Sequence, residues 1–465
     1  MGSYALEPAV IALVHRYEED GVRKFTQEEW HRIFKYYDLK AQTKQAERVA
    51  HAASFLYPED LDMRINLIDT RIELNELQIA RDEVNALLSK VRRVPQNISV
   101  IDRLHNCQVL ILLHENKIEE ADRYFHQYIV QERVDDEDIE IEKWYSSIRT
   151  LYMMNLITEA LHRIDEALCL FNEDWILLEQ RGHCLYKLER YEELADVYRH
   201  MIGLDPYNAG VWEILGETYC NLGQTEKAKE SYRYALAIEE RQSAYEGLAQ
   251  VFSDEENFDE AVGIMKKCMG IFGESTELLL QTADYCMQAE NTEYAEQLYS
   301  TVLKSDADNV EALLGFGYCL GMKQDLKNAL VNIRRAVELD ETNPRAWFFL
   351  SETYHELKML EKSLEAANRS LQITPDNGFT HFRIGCTLLE VKKPKEALTH
   401  LLQAKLLDFE YDELDITIAI AYFVLKDYDK FYKYYNTAIA SNPEAHDILV
   451  KSCPDAEAYL NKNMP

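Results

Sequence analysis

Glycine and proline are scarce in this sequence, 16 and 10 of 465 residues. That leaves little for turn-rich β architectures and suits helices joined by short turns. Long apolar runs are missing too. Near the N-terminus the only one, Ala9 to Val14, is six residues long and is followed by His15, Arg16 and the acidic Glu18-Glu19-Asp20. It is too short for a signal peptide and far too short for a membrane span. Met1-Gly2-Ser3 has Leu6 where a myristoylation signal needs Ser or Thr, so a cloning remnant is the expected reading. The nine cysteines form no CxxC pair and no tight cluster, which argues against a disulfide framework or a zinc site. Free buried thiols fit a reducing, cytoplasmic setting. Cations are outnumbered, 50 Lys+Arg against 82 Asp+Glu for a net −32, with 18 against 27 over residues 1–140 and 32 against 55 over the rest. A surface this negative repels phosphate backbones and anionic lipid. Nucleic acid and membranes are therefore poor partners, while basic or apolar protein segments are suitable ones.

What is present is a period. Trp212, Leu215, Gly216, Tyr219, Ala228, Tyr232 and Ala235 set out a large apolar residue, a small one, an aromatic, and two small residues around another large one. His381, Ile384, Gly385, Leu388, Ala397, Leu401 and Ala404 repeat those offsets, and Leu178, Gly182, Leu185, Tyr198 and Pro206 follow them. Sliding the frame gives twelve starts, at Gln27, Leu61, Asp102, Ile141, Trp175, Ala209, Gln242, Thr276, Val310, Pro344, Gly378 and Asp412. From Ile141 onward they are 34 residues apart, except for one spacing of 33. Two amphipathic helices, A and B, fill each period, and a small residue marks the place where they cross. Gly182, Gly216, Gly317 and Gly385, with Ala249, Ala283, Ala419 and Ser351, take that place on helix A. Ala160, Ala228, Ala261, Ala295, Ala329 and Ala397 match them on helix B. Trp30, Trp144, Trp212 and Trp347 fall four residues before the crossing and are expected in the core, while Pro58, Pro206, Pro375 and Pro443 follow helix B and stop it.

This pattern resembles the tetratricopeptide (TPR) repeat over residues 27–445, whose period is about 34. The layout, with the run Asp205-Pro206-Tyr207-Asn208-Ala209, is also similar to long bacterial proteins made only of such repeats. The resemblance implies an all-α TPR solenoid, a right-handed superhelix of about twelve helix-turn-helix repeats whose A helices line a concave groove for peptides or protein surfaces. The sequence is expected to divide into an N-terminal capping helix over 1–26, three divergent repeats over 27–140, nine regular ones over 141–445, and a C-terminal capping segment over 446–465. In the divergent part Phe34, Ile68 and Val109 stand where the crossing wants a small residue, which predicts wider helix packing. Spacing there stretches to 41 and 39 residues, with helix-resisting residues at 92–97 and 134–138 and a flexure near Asp136. Pro8 to Asp20 and Ala456 to Lys462 are expected as terminal helices.

Catalytic signatures are not found. The glycines from Gly315 to Gly321 follow no strand and fall inside helix A of the ninth repeat, so a phosphate loop is not expected. The thirteen histidines show no HExxH or paired spacing, and His381 occupies a large core place. Cys184, Cys220, Cys286, Cys319 and Cys386 lie in the middle or end of helix A, where they serve as small hydrophobes. No cofactor or metal is expected.

Function is then expected in the groove. Residues one and five places after the large residue of helix A point into it. These are Glu179 and His183, Glu213 and Glu217, Glu246 and Gln250, Leu280 and Asp284, Leu314 and Tyr318, Phe348 and Glu352, and Phe382 with Cys386. The lining changes from acidic to apolar along the chain, which predicts a partner segment with basic and bulky apolar residues. TPRs that grip a chaperone's C-terminal carboxylate use Lys at the first place and Asn at the second, and no repeat here has both. The expected function is a non-enzymatic scaffold or adaptor binding a protein or peptide in the groove. The alternative is a regulatory arm for an enzyme carried by another chain, and the acidic lining disfavours a third reading, RNA binding.

Overall fold

The computed structural model describes residues 8–21, 25–91, 98–131, 137–407, 409 and 411–463. These residues form twenty-seven helices, α1 to α27 in chain order, and no strand. Two compact units divide them at Gln224 and Thr225.

In the first unit α1 (Pro8–Asp20) precedes five helix pairs. They are α2 and α3 (Gln27–Leu39, Thr43–Leu56), α4 and α5 (Leu61–Glu73, Leu77–Lys90), α6 and α7 (Ile98–His114, Ile118–Gln131), α8 and α9 (Glu137–Met153, Ile157–Leu168), and α10 and α11 (Trp175–Lys187, Tyr191–Leu204). Helix α12 (Ala209–Asn221) closes this unit.

The second unit opens with α13 (Thr225–Ile238) and continues with α14 and α15 (Gln242–Asp254, Phe258–Phe272), α16 and α17 (Thr276–Gln288, Thr292–Ser305), and α18 and α19 (Val310–Met322, Leu326–Leu339). Then come α20 and α21 (Pro344–Glu356, Leu360–Ile373), α22 and α23 (Gly378–Glu390, Pro394–Leu406), and α24 and α25 (Leu414–Val424, Tyr428–Ser441). Helices α26 (Ala445–Ser452) and α27 (Pro454–Asn463) end the described chain.

Local chemistry sets the helix boundaries. Side chains of Asp60, Asp174, Asn208, Ser275, Asn309, Asn343 and Asn377 accept from backbone N–H groups in the first turn of the following A helix, and Thr26 with Glu29 forms a reciprocal capping box. The A-to-B turn is the same in every repeat. Its fifteenth residue has a left-handed backbone: Ala41, Asn75, Asn116, Asn155, Glu189, Gly223, Glu256, Glu290, Gln324, Lys358, Lys392 and Lys426. Gly223 N–H donates to Cys220 at 2.9 Å and Gln224 N–H to Tyr219 at 2.8 Å, which closes the helix end and satisfies two carbonyls. Each of these twelve residues lies fourteen places after a start read from the sequence.

The crossings pack as their residue types require. A β-carbon on Gly317 would lie 2.6 Å from Ile333, and one on Gly182 2.6 Å from the Tyr198 hydroxyl. Ala160, Ala228, Ala261, Ala295, Ala329 and Ala397 are fully buried. In the early repeats Phe34, Ile68 and Val109 are buried as well, and Val109 lines a cleft of about 550 Å³ with residues of α6, α7, α8 and α9.

Several expectations need correction. Trp30 and Trp144 are core, but Trp212 and Trp347 are only half-buried. Their indole N–H groups turn outward to the carbonyls of Pro206 (2.9 Å) and Glu341 (2.8 Å) in the preceding turn. His381 takes the same post, with Nε2 3.1 Å from the carbonyl of Pro375. Glu137 and Asp138 open α8 instead of resisting helix. Residues 92–97 and 134–136, with the expected flexure, lie outside the described residues. Helices α6 and α8 each begin four residues before the sequence register, and α24 begins two after it. At the C-terminus the anticipated helix starts at Pro454, and α26 precedes it unanticipated.

Candidate partner-binding face on the A helices

In the first unit Glu179, His183 and Glu217 are exposed and Glu213 is half-buried. Glu217 accepts from the Tyr186 hydroxyl at 3.2 Å, linking α10 to α12. Its charge pushes the Tyr186 phenol up, so the hydrogen stays on the tyrosine.

In the second unit Glu246 is half-buried and accepts from Gln242 at 2.8 Å. Gln250 is exposed, donates to Asp254 at 2.7 Å and accepts from Tyr285 at 2.9 Å. Asp284, also exposed, accepts from the Tyr299 hydroxyl at 2.9 Å. Burial first and the Asp284 charge second hold that phenol protonated. Glu217, Glu246 and Asp284 are thus each held by a neutral donor.

Farther along the second unit the surface becomes aromatic. Tyr318 is 42% exposed, Phe348 is half-buried, and Leu280 packs half-buried against a core cluster. Leu314 and Phe382, expected in the groove, are each only 4% exposed. The next A helix covers them: Leu314 clusters with Ala346 and Leu350, and Phe382 with Leu414 and Ile418. They support the surface from below rather than form it. Cys386 is half-buried, and burial pushes its thiol up to about 12, so it is no nucleophile.

Residues not anticipated from the sequence complete the surface. Phe379 is 38% and Tyr411 42% exposed. Ring centroids run from Tyr318 to Phe349 (5.5 Å), Phe349 to Phe348 (5.9 Å), Phe348 to Phe379 (5.1 Å) and Phe379 to Tyr411 (6.0 Å). This continuous row of rings comes from α18, α20, α22 and the segment before α24. Beside it Arg383 donates to Glu352 at 2.6 Å, tying α22 to α20. Burial pushes the Glu352 carboxyl up, against the pull of Arg383. The usable signal was the second residue of the repeat, which is Phe379 in the eleventh and was not included among the groove positions.

Among the described residues no group of three or more His, Cys, Asp or Glu is placed to hold a metal, and no helix is long and apolar enough to cross a membrane. Burial raises the thiols of Cys184, Cys286 and Cys319 to about 11.

The tetratricopeptide-repeat family model matches residues 209–242 and 344–377, which open at two of the starts read from the sequence. Among curated proteins the chain is similar to the BBSome complex member BBS4 of Bos taurus, 24% identical over 299 residues, 62% of this chain and 57% of that one. It is also similar to the anaphase-promoting complex subunit cut9 of Schizosaccharomyces pombe, 22% identical over 369 residues, 66% and 54%. The chain spans just over half the length of these relatives. Of solved structures, the Cut9–Hcn1 hetero-tetramer aligns over 89% of this chain and 92% of that chain, at 14% identity and a TM-score of 0.42. A tetratricopeptide repeat protein of Parabacteroides merdae aligns over 52% and 97%, at 15% identity and a TM-score of 0.45. The matched repeats, the twelve recurrences of one turn and the buried small residues at the helix crossings show that this chain carries tetratricopeptide repeats.

Proposed function

We propose that the chain is a non-enzymatic scaffold that binds a segment of another protein on the A-helix face of its second unit, in a reducing cytoplasmic setting. The row of rings in which exposed Tyr318, Phe379 and Tyr411 are joined through half-buried Phe348 carries this reading, because a string of accessible aromatics is surface that a partner would bury. Glu246 and Asp284 precede the row on α14 and α16. The partner segment accordingly carries Lys or Arg toward α14 and bulky apolar residues toward α22, drawn in by charge and held by burial. The excess of acidic residues disfavours a nucleic acid or an anionic lipid surface, and no repeat of the sequence pairs the Lys and Asn used by TPRs that grip a chaperone's carboxylate. The relatives' names, a complex member and a complex subunit, accord with work as one part of an assembly.

The test is selection of peptides from a random displayed library on the purified protein. Enriched peptides should pair a basic cluster with aromatic or aliphatic residues, and the Phe348→Ala/Phe379→Ala protein should fail to retain them. Acidic peptides, or peptides that bind this variant unchanged, would contradict the proposal.

A further inference from the structure

The first unit holds a cleft of about 660 Å³ walled by α4, α6 and α8, large enough to receive several side chains of a bound segment. Among the described residues its lining charges are balanced, unlike the chain as a whole: Arg103, Lys143 and Arg149 line it with Asp69, Asp102 and Glu142. Most of them are already engaged. Arg103 donates to Asp62 at 2.7 Å and Asn66 at 2.9 Å and lies 3.9 Å from Asp69. Asp69 also accepts from the Cys107 thiol at 3.1 Å, and Asp102 accepts from Tyr128. Lys143 is buried, with Nζ 3.3 Å from Glu140 and 5.0 Å from the Tyr128 ring. Asn106 donates to Ser146 at 2.7 Å and closes the floor between α6 and α8.

Arg149 differs from the other two cations. It is exposed, and its guanidinium has no hydrogen-bond or ion-pair partner among the described residues. One turn on, Met153 is 80% exposed, and Leu110 lines the same cleft from α6. Glu142, the exposed acid of the cleft, lies two turns back on α8, roughly 10 Å away along the helix. An unpaired guanidinium beside an exposed thioether and a leucine is complementary to a carboxylate next to an apolar side chain.

We propose that this cleft is a second binding site, for an acidic-apolar peptide segment whose carboxylate pairs with Arg149 and whose apolar neighbour covers Met153 and Leu110. Its preference is opposite in charge to that of the aromatic face in the second unit. A scaffold with two such sites holds two unlike segments at once.

The test uses the full chain with methyl-labelled methionines, the Met153 resonance being assigned with Met153→Leu. Two probes are titrated, a peptide of alternating Leu and Glu and its Leu-Lys counterpart. The Leu-Glu peptide should shift the Met153 methyl and the Leu-Lys peptide should not. Arg149→Glu should weaken Leu-Glu binding at least tenfold and confer binding of Leu-Lys, while Phe348→Ala/Phe379→Ala leaves both results unchanged. No Met153 shift with the Leu-Glu peptide, or a shift equal in the wild type and Arg149→Glu, overturns the proposal. Neither outcome bears on the aromatic face.

Discussion

Gly385 on α22 lies so close to Leu401 on α23 that a β-carbon at Gly385 would sit 2.6 Å from the leucine Cδ2, with the Ala397 carbonyl 3.3 Å away. Leu401 and Ala397 are fully buried and cannot swing aside. Gly385→Leu should therefore overpack the crossing and cost about 1–3 kcal/mol, seen as a lower urea midpoint. Gly263 on α15 has nothing within 4 Å of such a carbon, so Gly263→Ala should leave the midpoint unchanged or raise it.

The left-handed turn residue gives a second prediction. Gly223 has φ +66° and open space around it, so Gly223→Ala should cost about 1 kcal/mol through backbone strain alone. Glu256, at φ +60°, already carries that strain. Glu256→Gly should leave stability unchanged or raise it by up to about 1 kcal/mol, since relief of the strain is offset by the extra entropy of the unfolded chain. Paired thermal melts would check both, and a loss on Glu256→Gly would contradict the turn assignment.

His381 and His400 face each other with Nδ1 atoms 3.0 Å apart, which requires that at least one ring be neutral. Burial first, and His381 second, lower the His400 pKa, while Glu396 opposes them. The unfolded chain then takes up the proton before the folded one does. Stability from this pair is complete above the ordinary histidine value near 6.5 and falls as pH drops from there toward the lowered folded value. Hydrogen exchange in α22 and α23 should be faster at pH 5.5 than at pH 7.5 after correction for intrinsic rates. His400→Gln should remove most of that difference, and an unchanged difference would count against the pair as its source.

The fold was legible because a TPR repeat writes its contacts into residue size. A small residue at a helix crossing leaves few alternatives, and the twelve turn residues from Ala41 to Lys426 hold the register that Trp212, Gly216 and Ala228 suggested. The candidate surface was legible only in part. Helical periodicity gave the direction of Leu314 and Phe382, but not that the following A helix would bury any large apolar side chain placed there. Charged residues at the equivalent place, such as Glu179, stay in water because burial would cost them their solvation. Phe379 is the second residue of its repeat, outside the two places that the periodicity argument assigns to the groove. The outward turn of Trp212 depends on the carbonyl of Pro206, which no residue pattern marks as an acceptor.

The central claim is that charge on α14 and α16 and rings on α18 to α22 act on one bound segment. Stopped-flow and dissociation kinetics of a fluorescein-labelled peptide from the displayed-library selection test it most directly. Surface charges are screened over about 8 Å at physiological ionic strength, so association should slow as salt rises. Glu246→Lys/Asp284→Lys should slow association and flatten that salt dependence, with little change in the dissociation rate. Phe348→Ala/Phe379→Ala should instead speed dissociation at least tenfold and leave association nearly unchanged. Full affinity in both double variants would contradict the account and move the binding surface off the A helices of the second unit.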